Sequence, residues 1–120
     1  MNWMRWALVA LSGLVALAAG CHSSHVDITV ENHSGAPIRL LEVDYPNASF
    51  GADAIAEDGV MHYRIQLQGN GPLKVQYTAF DGKLVQITGP QMAEHQEGKL
   101  EIVLAPGAKA DFRPDLTARH

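Results

Sequence analysis

The sequence predicts an all-β domain behind a cleaved signal peptide: an immunoglobulin-like or fibronectin-like β-sandwich of six to seven strands, with a small up-and-down barrel as the alternative. Two observations carry this expectation. Beyond residue 25, apolar and polar residues alternate in short runs separated by turn signals about every eight to twelve residues. No stretch of that region reads as a capped amphipathic helix. The expected organisation is a signal segment over 1–20, a short polar tether over 21–25, a sandwich over 26–113 and a fraying tail over 114–120.

Val26, Ile28 and Val30 alternate with Asp27, Thr29 and Glu31, the period-two pattern of a half-buried strand. Asn32 to Pro37 supplies a turn. Over Ile38 to Tyr45 the parity breaks: Ile38 and Leu40 share one face, whereas Leu41, Val43 and Tyr45 share the other. One extra residue near Leu40 restores the alternation, which predicts a β-bulge there, with a switch between sheets as the alternative. Pro46 to Gly59 shows no clear period and reads as a long loop, functional or simply crossing between sheets.

Strands resume at Val60. Met61, Tyr63, Ile65 and Leu67 alternate with polar residues, Gly69-Asn70-Gly71-Pro72 turns the chain, and Leu73, Val75, Tyr77 and Ala79 form the next inward set. Asp81-Gly82 before Leu84 to Thr88 is the strongest hairpin signal, and the pair suits a type I′ turn. Gly89 to Gly98 reads as a second polar loop. Leu100, Ile102 and Leu104 alternate after it, Ala105-Pro106-Gly107 turns, and Ala108, Ala110 and Phe112 suggest a short last strand. The expected core is Val26, Ile28, Val30, Met61, Ile65, Leu67, Leu73, Val75, Val85, Ile87, Leu100, Ile102 and Leu104, joined by Tyr63, Tyr77 and Phe112.

The N-terminal segment has a different character. Arg5 supplies a positive charge, Trp6 to Ala19 an apolar run, and Ala18, Ala19 and Gly20 small side chains before Cys21. That sequence of features is a secretory signal. Its end resembles the lipobox of bacterial lipoproteins, with Ala18 where leucine is common and Leu17 one place earlier. The resemblance implies that Cys21 is lipidated and becomes the mature N-terminus. The apolar run is shorter than the roughly 20 residues a membrane-spanning helix needs. Lipidation also accounts for a cysteine with no disulfide partner, since Cys21 stands alone. One acyl chain binds a membrane marginally, but several anchor firmly. His22 stands where aspartate would favour inner-membrane retention, so the expected location is the cell envelope, at the outer membrane.

Loss of the signal removes Arg5, leaving eight basic residues against thirteen acids, a formal charge of −5. Scattered lysines on an acidic domain argue against nucleic-acid binding, which needs a basic stripe. They also leave the lipid on Cys21 as the expected membrane contact. Catalytic constellations are lacking. Ser23, Ser24, Ser34 and Ser49 lie outside any nucleophile elbow, and His33 beside Ser34 reads as a turn dipeptide. The pairs Glu42/Asp44 and Glu57/Asp58 read as solvated faces. Met92 and His95 share a loop and form the candidate metal pair, since thioether and imidazole suit copper. Asn32-His33-Ser34 and Asn47-Ala48-Ser49 match the glycosylation sequon, which carries little weight in a bacterial lipoprotein.

Tyr45 to Gly51, Gly71 to Thr78 and Glu97 to Leu100 are similar to blocks in small, uncharacterised bacterial lipoproteins with an all-β mature domain. The resemblance implies a lipoprotein and supplies no catalytic residues. The expectation is therefore a non-catalytic, membrane-tethered envelope lipoprotein that binds another protein or supports an assembly, requiring no cofactor. Phe50 and Phe80 are its candidate partner anchors if exposed, and the two long loops and the sheet edges its candidate contact surfaces. The alternative is a metal- or small-ligand-binding periplasmic module using His95 and Met92.

Overall fold

The computed structural model describes residues 24–118, so Cys21, the signal segment and the first part of the tether lie outside the described residues. Eight strands, not the expected six or seven, run in chain order: β1 (Val26–Asn32), β2 (Ile38–Tyr45), β3 (Ala48–Ile55), β4 (Val60–Ile65), β5 (Gly71–Thr78), β6 (Leu84–Met92), β7 (Gln96–Ala105) and β8 (Lys109–Ala118). They form two four-stranded sheets, ordered β4-β1-β7-β8 and β3-β2-β5-β6. β1 pairs parallel with β7, and every other pairing is antiparallel. Neither sheet closes on itself, so the architecture is a β-sandwich, not a barrel.

The alternating residues meet between the sheets as expected. Val26, Ile28, Val30, Leu73, Val75, Leu100, Ile102 and Leu104 are all essentially inaccessible. Ile38, Leu41, Val43, Phe50, Ile55 and Met92 join them. Met61, Ile87 and Phe112 are only partly buried, because they lie toward the open flanks, and Tyr63 is nearly half exposed on edge strand β4. Leu67 is buried although β4 has ended at Ile65.

The predicted bulge is present. Leu40 adopts φ +53°, and the β2–β5 register slips by one residue between Arg39 and Glu42. Leu40 therefore turns outward, while Ile38 on one side of it and Leu41 and Val43 on the other all face the core.

Four expectations need correction. Pro46 to Gly59 is not a loop: Pro46 and Asn47 form a two-residue turn, and Ala48–Ile55 is strand β3. Its alanines, serine and glycine have weak strand preference, and the strand is imposed by pairing with β2. Gly89 to Gly98 is likewise mostly strand, leaving only Ala93 to His95 between β6 and β7. The tail does not begin at residue 114, because β8 runs through Pro114 to Ala118 with Leu116 partly buried. Proline is tolerated there because β8 is an edge strand, where a missing N–H need not break a ladder. Finally, Asp81-Gly82 is not a type I′ turn. Gly82 N–H donates to Ala79 O at 2.9 Å, only Gly82 has positive φ, and Ala79 N–H donates to Lys83 O at 2.8 Å. That is the three-residue hairpin with a glycine bulge.

Strand directions give the sandwich two distinct ends. The chain enters at one end, where β1 begins, and β8 finishes there. The opposite, distal end gathers four connections: 33–37, 56–59, 79–83 and 106–108.

Candidate binding surface

Asn32, the last residue of β1, organises the distal end. It is fully buried, yet its amide is satisfied throughout. The Nδ2 group donates to the carbonyls of Ala36 (2.9 Å), Ile55 (3.1 Å) and Ala56 (3.1 Å). Its Oδ1 accepts from Ser34 Oγ at 2.6 Å and from the Ser34 amide at 3.2 Å. One side chain thus ties the β1–β2 and β3–β4 connections together. Ser34 is committed to this network and His33 contacts Asp58 at 3.1 Å, so the two do not form a catalytic dyad. The folded domain therefore does not present the Asn32 side chain at its surface.

Replacing Asn32 with Ala would remove the hydrogen bonds of both amide ends from a buried site, although Ala56 O keeps the Gly59 N–H and Ala36 O the Ser34 hydroxyl. The expected loss is about 3 kcal/mol, since an unmet buried polar group costs roughly 1–3 kcal/mol. Asn32→Asp keeps the acceptor but lacks the donor and should not restore stability at neutral pH. Urea unfolding of the three proteins checks this, and an Asp variant as stable as the parent would refute the donor role.

Above this network lies a mainly apolar cleft of about 420 Å³. Ile38, Tyr77, Phe80 and Val85 line it together with Ala105 and Ala108. Burial pushes the Tyr77 phenol above its usual range, so it lines the cleft as a neutral group, and Asp81 and Lys83 supply the charges of the lining. Phe80, at the tip of the β5–β6 hairpin, is 77% exposed. Leu40 and Leu84 are also exposed, and the Arg39–Thr78 and Thr78–Leu84 pairings place both near the root of that hairpin. With Val60, four of the five exposed large hydrophobics among the described residues stand toward this end. Clustered exposed apolar groups are a mark of interaction surfaces.

The other predicted site residues behave differently. Phe50 is 6% exposed and stacks on Tyr63 with ring centroids 4.5 Å apart and planes 7° from parallel. That stack closes the flank between β3 and β4, so Phe50 is part of the core and not a partner anchor. Met92 is wholly buried, whereas His95 stands exposed on a turn at φ +64°. A thioether held inside the core is withdrawn from any surface metal. Among the described residues, no group of three or more His, Cys, Asp or Glu is placed to hold a metal ion. Sequence reasoning missed Asn32, which looked like an ordinary turn residue, and the alanines of the cleft, which carry no pattern of their own.

No family model and no curated protein matches the chain. Among solved structures it is similar to an NMR structure of a protein from Eubacterium rectale, with 10% sequence identity and a TM-score of 0.55. The match covers 75% of this chain and 87% of that one. At such identity the likeness bears on the fold alone.

Proposed function

We propose that the protein is a non-catalytic lipoprotein of the bacterial cell envelope, held by acyl chains on Cys21 at the outer membrane, that binds a partner protein through its distal end. The observation that carries this reading is the polarity of the sandwich. The chain enters the fold at one end, and the Phe80 cleft and its exposed leucines stand at the other. A tether at the entry end would hold this apolar surface away from the membrane. Aromatic side chains that fit apolar pockets supply much of the energy of protein interfaces.

The test has two parts. Mass spectrometry of the mature protein should find the N-terminus at Cys21 with acyl chains attached, and an unmodified cysteine there would sink the anchor. A photo-crosslinker placed at Leu84 in the intact chain should capture a recurrent envelope protein in cells. Phe80→Ser should reduce that capture about thirtyfold, the usual consequence of losing an anchoring aromatic worth roughly 2 kcal/mol. Capture unchanged by Phe80→Ser would remove the distal end from the interface. The metal-binding alternative through His95 and Met92 has no observation in its favour, since the thioether is in the core.

A further inference from the structure

The four sheet edges are not equally protected. An edge strand offers unpaired N–H and C=O groups, and proteins usually blunt it with proline, positive charge, a bulge or brevity. β6 carries Pro90 and a register irregularity, and β8 carries Lys109, Arg113 and Pro114. β4 is the shortest strand and carries Arg64, which pairs with Asp27 at 3.3 Å. β3 has none of these devices. Its stretch Ala48 to Ala52 contains no charge and no proline, and Ala48, Ser49 and Gly51 are exposed.

The face behind that edge has a sign. In the β2–β3 register Glu42 lies opposite Gly51, and Asp44 lies opposite Ser49. The two acids therefore stand one strand in from the edge, behind the smallest outward-facing residues of β3. Asp53 adds a third carboxylate on the same side of the sheet, against Arg39 on these two strands and Lys74, which lies opposite Asp44 on β5. None of the three carboxylates makes an ion pair among the described residues.

From this geometry we infer that β3 is a β-augmentation site for an extended, basic segment of another protein. The incoming strand would pair with Ala48 to Ala52. Side chains on its outer face recur every second residue, matching Ser49 and Gly51. Strands lie about 4.8 Å apart, so a lysine placed beside Gly51 can cross the bare glycine to Glu42, and one beside Ser49 can reach Asp44. Main-chain hydrogen bonds would supply the pairing, and the two acids would select lysine or arginine at alternate positions. A second copy of this chain fits less well, because it would bring two faces of the same sign together. The inference rests on a surface separate from the Phe80 end and stands or falls independently of it.

The probe is a synthetic hexapeptide of alternating lysine and valine, titrated into the full chain and followed by amide NMR and hydrogen exchange. Binding should slow exchange along β3 and shift its amides. A peptide of alternating glutamate and valine should not bind. Methylating alternate backbone nitrogens of the lysine peptide, which removes the ladder while keeping the charges, should abolish binding. Glu42→Gln combined with Asp44→Asn should weaken binding about tenfold at low salt, the combined effect of two exposed ion pairs, and much of that difference should vanish in high salt. Equal binding of the methylated peptide, perturbations confined to another edge, or self-association of the chain through β3 would each overturn the proposal.

Discussion

Ile65→Asp should abolish the folded domain. Ile65 is 2% exposed and lies opposite Val26, itself inaccessible, at the entry end of the β1–β4 pair. A carboxylate there has no cation to meet, and an uncompensated buried charge costs several kcal/mol. The whole stability of such a domain is about 5–15 kcal/mol. The strand cannot escape by sliding one residue, because a slip would bring Arg64 inward and turn Met61 and Tyr63 out. Circular dichroism through a thermal ramp should find no cooperative transition. The companion change His62→Asp lies on the exposed face of the same strand, loses only the hydrogen bond to Thr29 Oγ1 and should cost no more than about 1 kcal/mol. A soluble Ile65→Asp protein that melts cooperatively near the parent temperature would refute the assignment of this face to the core.

Gly51→Ala is expected to be among the most damaging conservative changes. Beside the bulge at Leu40, the backbone of β2 comes so close to Gly51 that an added Cβ would overlap the Leu41 carbonyl oxygen. The obstacle is main chain on the neighbouring strand and cannot rotate away, so β2 and β3 must part. The expected cost is about 3 kcal/mol or more, the upper range for overpacking. For a domain of this size that lowers the melting temperature by roughly 12–20 °C. Gly35→Ala separates space from conformation. That glycine has φ +95° with nothing near its missing side chain, so Ala should cost only the backbone strain of about 1–2 kcal/mol. If calorimetry found the two variants equally stable, close approach at Gly51 would not be the reason for its glycine.

The bulge and its glycine also mark where sequence reading stopped. The parity break between Ile38 and Leu41 is a local signal, legible because neighbouring side chains must leave opposite faces of a pleat. The need for glycine at 51 arises from the strand that β2 pairs with, which the local pattern does not name. β3 shows the same division. Its small residues carry no period, and it is a strand because β2 offers it a ladder. At the candidate site, Phe80 was legible as an aromatic within a turn. Nothing near Phe50 distinguished it from Phe80, yet Phe50 meets Tyr63 across the flank and is buried. Met92 was read by its chemistry as a ligand and is held by packing as core.

By itself, then, the sequence determined the all-β class, the inward faces of β1, β5 and β7, the bulge at Leu40 and the hairpin at Gly82. Each of these is written in residues a few positions apart, through the period of the pleat and the φ preferences of turns. Tertiary structure decided the parallel pairing of β1 with β7, the burial of Asn32, the extension of β8 through Pro114, the burial of Phe50 against the exposure of Phe80, and the unprotected edge at β3. Those depend on which strand lies alongside, and a strand's neighbour is set by the packing of the whole sandwich.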